Sequence, residues 1–200
     1  MRCVGAFPFK FRYVSWSFNS FNSILDNLIG APYSVGQDFN CDNCKLTSLL
    51  GCPEKIGRDF YCYQNLLISL KYAPKTLVGD FYCDNNSIER LEYAPITNQY
   101  FSCSSNRLTN LLGAPQKVDV FDCDDNLLTS LEGAPKNVQK TFDGARKNLE
   151  GLHFMPEYVG GNFYCDNNPL PSNIQNTTNF AEIKIILEYE KISCITSTVS

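Results

Sequence analysis

Cysteine, aspartate and a single histidine are the residues of this 200-residue chain that could do chemistry. Cys41-x-x-Cys44 has the spacing of half a zinc site or of a redox pair. A structural zinc site needs a second pair at matching distance, and no other CxxC occurs. His153 is the only histidine, too little material for a His-rich metal site or a Ser-His-Asp triad. It stands just before Phe154-Met155-Pro156, where a surface or corner position is expected. P-loop, GxGxxG, GxSxG and HExxH patterns are missing. Aspartates could hold Ca²⁺ through oxygen ligands, yet neither an EF-hand loop nor a calcium-binding nonapeptide repeat is present. The expectation is a protein without catalysis, metal or cofactor.

The elements that position these residues announce themselves as a repeat. Phe18, Phe39, Phe60, Phe81, Phe101, Phe121, Phe142 and Phe163 follow one another at intervals of 20 or 21 residues. Two places after each comes Ser20, Cys41, Cys62, Cys83, Cys103, Cys123, Gly144 or Cys165. Five places after come Ser23, Cys44, Asn65, Asn86, Asn106, Asn126, Lys147 and Asn168; seven places after stands a leucine or, once, Ile88. A second leucine and then a proline close seven of the eight units. Phe-x-Cys alternates with period two, so ring and thiol point to one face of a short strand. One unit cannot bury that face, but stacked units can, which predicts a parallel sheet with one strand per coil. Cysteine acts as a small hydrophobe in the narrow part of the coil, so these thiols are expected buried and reduced. Parallel in-register strands seldom offer disulfide geometry. The asparagines are expected to form a ladder that satisfies backbone groups where the strand bends away. The proline excludes a helix on the outer side. Two units lack one residue between proline and phenylalanine (Pro95 to Phe101, Pro115 to Phe121), which places that deletion on the outer side.

This pattern resembles the leucine-rich repeat, L-x-x-L-x-L-x-x-N/C-x-L with a period of roughly 20 to 29 residues. Phe-x-Cys stands for Leu-x-Leu, and Cys44 is the permitted alternative to asparagine. With "VGGNFYCDNN" and "LTSLEGAP", the short unit is similar to leucine-rich-repeat proteins of tailed bacteriophages and bacteria. The resemblance implies a leucine-rich-repeat solenoid with a parallel sheet on its concave face and an irregular, extended convex side. The expected organisation is an N-terminal cap over residues 1–17, about eight units over 18–171, and a capping segment over 172–200. That last segment reads as a helix from 178 to 192, with Asn179 and Glu182 as a capping box and Phe180, Ile183, Ile186 and Leu187 as its apolar stripe. The helix either covers the open edge of the core or docks a partner. The seventh unit carries Lys147 in the asparagine column: either the coil is distorted and Lys147 reaches outward beside Arg146, or the repeat has simply decayed.

Ten of the twelve aspartates fall beside the Phe-x-Cys strands on the expected solvent side, among them Asp42, Asp59, Asp80, Asp84, Asp122, Asp124 and Asp166. Tyr61, Tyr63, Tyr82, Tyr100 and Tyr164 share that surface. Two readings stay open: a recognition surface for a basic protein or peptide, with tyrosines as anchors, or a by-product of duplication in which Asp and Asn suit strand ends. A net charge of −4 and pI near 5.0 argue against nucleic acid and anionic membranes as partners. No apolar run reaches the roughly 18 residues that span a bilayer. Arg2, Lys10 and Arg12 interrupt any leader-like stretch, so a monomer in the cytoplasm, a host's if the source is viral, is expected. A virion or surface component, and an acidic mimic of nucleic acid, are the rival functions.

Overall fold

In the computed structural model, the described residues are 4–5, 7, 12–145, 148–149 and 151–197, with only the backbone course given for 4–5 and 190–197. The chain winds as a parallel β-solenoid closed by a C-terminal helix. Its main sheet has nine strands, including Phe18–Asn19, Phe39–Asn40, Phe60–Tyr61, Phe81–Tyr82, Tyr100–Ser102, Lys117–Asp122, Asn137–Asp143 and Phe163–Tyr164. Each repeat phenylalanine is the register partner of the next. We number the coils 1 to 8 by these phenylalanines.

The rings form one spine. Neighbouring centroids lie 5.0–5.7 Å apart from Phe18 to Phe163. Phe7 closes the spine edge-on against Phe18 at 5.4 Å, and Phe180 closes it against Phe163 at 5.4 Å. Phe39 through Phe163 are wholly buried. Burial stabilises by roughly 2–3 kcal/mol per ring, and each aromatic pair adds about 0.5–1.5 kcal/mol.

The thiol file is also internal. Cys41, Cys62, Cys83, Cys103, Cys123 and Cys165 are buried and are not joined in disulfides. Several donate to a carbonyl of the next coil, as Cys41 Sγ does to Tyr61 O at 3.3 Å and Cys83 Sγ to Ser102 O at 3.2 Å. Burial pushes the Cys41, Cys62 and Cys83 thiols well above their ordinary range, and that of Cys165 to about 11. That holds them in the protonated form, which is not the nucleophilic one.

The asparagine ladder does what the column predicts. Asn65 Nδ2 donates to Cys41 O at 3.0 Å and Cys62 O at 3.1 Å, and its Oδ1 accepts from the N–H groups of Cys44 (3.0 Å) and Leu46 (2.9 Å). Asn86, Asn106, Asn126 and Asn168 span adjacent coils in the same way. In coil 2 Cys44 takes the place, its thiol pointing at Ser20 O and Asp42 O.

Backbone curvature explains two further columns. In coils 1 to 6 and 8 the residue before the ladder position is left-handed: φ is 57° at Asn22, 48° at Asn43, 52° at Gln64 and Asn85, 51° at Ser105, 50° at Asp125 and 56° at Asn167. Short polar side chains tolerate that region best. Gly30, Gly51, Gly113 and Gly133 occupy a second such column with φ from 85° to 96°. A Cβ on Gly51 would sit 2.5 Å from the Leu28 carbonyl carbon. Tyr72, Tyr93 and Phe154 hold the same column at φ of 75°, 69° and 64°.

The segment that leads into the main strand is not wholly irregular. Tyr13–Val14, Ser34–Val35 and Lys55–Ile56 form a second parallel sheet of three strands. In coils 6 and 7 this file fuses with the main strand, with a bulge between Val118 and Val120. Pairing runs at an offset of 20 before the bulge (Val118 with Val138) and 21 after it (Val120 with Thr141). The length difference between units is therefore absorbed between proline and phenylalanine.

Val4–Gly5 pairs with Ile24–Leu25, so the N-terminal segment contributes a strand. At the other end, helix α1 (Ser172–Gln175) buries Ile174, and helix α2 (Phe180–Ser197) buries Phe180 and Ile183. Asn179 Oδ1 accepts from Ala181 N–H at 3.0 Å and Glu182 N–H at 3.3 Å. Glu182 does not reach back to Asn179; its carboxylate accepts from the Thr177 hydroxyl at 2.7 Å. Helix α2 runs five residues past the expected end. Arg146 and Lys147 lie outside the described residues. The flanking Gly144 keeps its bonds, donating to Tyr164 O (2.8 Å) and accepting from Asn168 Nδ2 (3.1 Å). Among the described residues no helix is long and apolar enough to cross a membrane.

Candidate site on the outer face of the sheet

Strand pleating aims the ring and thiol inward, so three columns remain for the other face: before the phenylalanine, between it and the cysteine, and after the cysteine. The first holds Asp38, Asp59, Asp80 and Tyr100; the second Tyr61, Tyr82, Asp122, Asp143 and Tyr164; the third Asp42, Tyr63, Asp84, Asp124 and Asp166. All of the candidate residues thus fall in these three columns, on one side of the sheet.

Within it, three tyrosines make a stack. The Tyr61 and Tyr82 rings are 4.9 Å apart and inclined by 6°; Tyr82 and Tyr100 are 5.2 Å apart at 24°. Each hydroxyl donates to a carboxylate: Tyr61 to Asp59 (3.1 Å), Tyr82 to Asp80 (3.2 Å) and Tyr100 to Asp122 (3.2 Å). Burial, and then the adjacent carboxylates, push all three phenols up, so they remain protonated donors. Tyr63 is raised by burial and by Asp42. Tyr164 stands apart in coil 8, where its oxygen accepts from Asn162 Nδ2 at 2.9 Å.

The carboxylates are themselves built into the coil. A two-residue strand leaves the N–H before it without a backbone partner, and the preceding coil's aspartate supplies one. Asp38 accepts from Asp59 N–H at 3.3 Å, Asp59 from Asp80 N–H at 2.9 Å, and Asp80 from Tyr100 N–H at 3.0 Å. In the third column Asp42 accepts from Tyr63 N–H at 3.2 Å and Asp84 from Ser104 N–H at 3.1 Å. Ser102 and Ser104 hydroxyls also donate to Asp84. Sequence reasoning missed this role; its signal was an aspartate recurring in the same column at the repeat interval.

Asp42 corrects the expectation of a solvent-facing acid. It is only 4% exposed, and burial raises its carboxyl to about 6, against the pull of Tyr63 and Asn40; the charge of Asp84 adds to the rise. At the edge of the face, Arg58 grips Asp38 with both fork nitrogens, Nε to Oδ1 and Nη2 to Oδ2, each at 2.6 Å, and lies 3.4 Å from Asp59. Burial works to raise the Asp38 carboxyl, but Arg58 and the Asp59 N–H hold it below the usual range.

Among the described residues no group of three His, Cys, Asp or Glu side chains could hold a metal ion. His153 is exposed at a corner of coil 7. Elsewhere a groove of about 660 Å³ runs between the proline corners of coils 2 and 3, lined by Cys52, Pro53, Tyr72 and Pro74 among others. Compared with known families, curated proteins and solved structures, the chain matches none.

Proposed function

We propose that this chain is a non-catalytic binding scaffold of the leucine-rich-repeat kind, similar to the short-repeat proteins of tailed bacteriophages and bacteria, acting in the cytoplasm. Its sheet presents a tyrosine and aspartate surface to a basic protein or peptide. The observation that supports this most is the Tyr61–Tyr82–Tyr100 stack, ordered by carboxylates and partly open to solvent. Stacked tyrosines have little conformational freedom left to lose, so contacts made on them retain more of their energy as affinity. Surrounding carboxylates steer a cationic partner and exclude an anionic one.

Affinity capture from native cells with the wild type and with a Tyr61→Ala, Tyr82→Ala, Tyr164→Ala variant tests the reading. A partner recovered by the wild type and lost with the variant supports it. Equal recovery of every partner would remove the face from consideration. The Asp59-to-Asp80 hydrogen bond favours a second reading, in which the acidic columns serve coil assembly and the chain is a structural component. That reading predicts co-purification with particles.

A further inference from the structure

The left-handed column at the proline corner carries tyrosine in coils 3 and 4, where glycine would fit better. A Cβ on Gly51 or Gly133 would strike the backbone of the preceding coil, so a side chain in this column needs the coils apart. At two of the glycine corners a leucine N–H donates to the carbonyl just before the next coil's glycine. Leu28 reaches Leu50 O at 2.8 Å, before Gly51, and Leu111 reaches Glu132 O at 2.7 Å, before Gly133. Among the described residues no such bond precedes Tyr72 or Tyr93. Coils 2 and 3 part at this corner. The second sheet stops at Lys55–Ile56, Thr76 bridges forward to Ile96, and the groove of about 660 Å³ opens between Pro53 and Pro74 beside Tyr72. Both tyrosines are exposed, so packing within the chain does not offset their left-handed backbone. Strain kept at an exposed aromatic beside a groove points to a contact made there. The rim is basic. Lys55, Lys71 and Lys75 are exposed and form no ion pair among the described residues, Lys71 Nζ lying 5.1 Å from the Tyr72 ring centroid. The one acid of the groove, Glu54, accepts the Tyr33 hydroxyl at 2.9 Å.

Helix α2 presents the complement. Phe180 and Ile183 are buried against the core, but Ile185 and Tyr189, four residues apart and so on one side of the helix, are 54% and 71% exposed. Glu182 and Glu188 are exposed beside them. We propose that the chain assembles with itself: α2 of one copy lays its Ile185–Tyr189 stripe in the coil 2–coil 3 groove of another. Tyr72, Pro53 and Pro74 take the apolar side chains, and the rim lysines face the glutamates. This is the capture of an amphipathic helix by a groove, with opposite charges fixing its direction. The occupant belongs to a second copy because α2 is seated on coil 8, Phe180 against Phe163, five coils or roughly 24 Å from the groove. The two contact surfaces differ, so the interface is heterologous and each copy keeps one groove and one helix to offer. A concentration-dependent assembly thus replaces the monomer expected from the sequence, and the outer face of the sheet stays open for the partner proposed above.

Sedimentation velocity of the full chain at rising concentration tests this. The average mass is expected to climb above the 22.6 kDa of one chain, and to climb less at high salt. Two variants separate the halves of the contact. Tyr72→Gly suits the left-handed column, so it folds and lets the corner close. Ile185→Gln with Tyr189→Gln changes exposed positions to a good helix former and removes the stripe. Circular dichroism checks both folds. Each variant alone is expected to stay monomeric. Their equimolar mixture is expected to form a species of twice the chain mass and none larger, because each supplies the half that the other lacks. A wild type that stays monomeric at every concentration overturns the proposal, as do variants that associate like the wild type or a mixture that remains monomeric. The sheet face is judged separately, by the capture experiment.

Discussion

The carboxylate of Asp59 accepts the backbone N–H of Asp80, one coil away, at 2.9 Å, while its other oxygen accepts the Tyr61 hydroxyl at 3.1 Å. One acid thus joins two coils and orients a ring of the candidate site. Coil stacking and the candidate site share residues here. Removing the acid is expected to disturb both, and replacing it by an amide to preserve much of each.

Asp59→Ala should therefore destabilise by about 1–3 kcal/mol, because it strands a backbone donor and a phenol. Asp59→Asn should cost less than half as much. Urea titration followed by far-UV circular dichroism measures both.

The ladder is more costly to break. Asn106 is 7% exposed and donates to Cys83 O and Cys103 O while accepting from Ile88 N–H. Asn106→Ala leaves several buried groups unpaired and should cost roughly 3 kcal/mol or more. Asn43→Gly, at an exposed left-handed position, should change stability by less than about 1 kcal/mol.

Asp42 gives stability a pH dependence of predictable sign. Its folded carboxyl is raised to about 6 from the ordinary aspartate value of 3.8, so the folded state holds the proton more tightly. Its contribution is most favourable below about pH 4 and is lost as pH rises through about 6, on the order of 2–3 kcal/mol in all. Asp42→Asn should remove that slope and raise stability at pH 7. Denaturant midpoints of both proteins at pH 5 and pH 7.5 test this.

Tyr93 sits at φ 69° in a column that glycine fills in four other coils, and it is 63% exposed. Relief of the left-handed strain, about 1–2 kcal/mol, exceeds the entropy that glycine adds to the unfolded chain. Tyr93→Gly should raise the thermal midpoint by about 2–4 °C, measured by calorimetry.

Much of this fold was legible because each column states one demand and repeats it. The phenylalanines, thiols and asparagines could be placed before any coordinates, since buried ring, buried small group and bending strand each admit few residue types. Asn179 was legible as a cap because its side chain acts locally. What escaped were relations between coils on the outer face. Nothing within one unit shows that Asp59 serves the N–H of Asp80, or that Asp42 is buried against Tyr63. Tyr100 reads as belonging to a different column from Tyr82, and only the packing of rings brings them together. Tyr164 shares their pattern but lies coils away. The second sheet was also hidden, because its two-residue strands are too short to carry periodicity.

The whole account depends on a sealed interior in which six of the eight coils contribute one thiol beside the ring. Timed alkylation of the native protein, with labelled sites identified by mass spectrometry, examines that interior directly. Cys41, Cys62, Cys83, Cys103 and Cys123, each with no exposed surface, should stay unmodified until denaturant is added and then all react. Rapid labelling of these five in the folded protein, or their recovery as disulfides, would contradict the stacked coil and the binding face built on it.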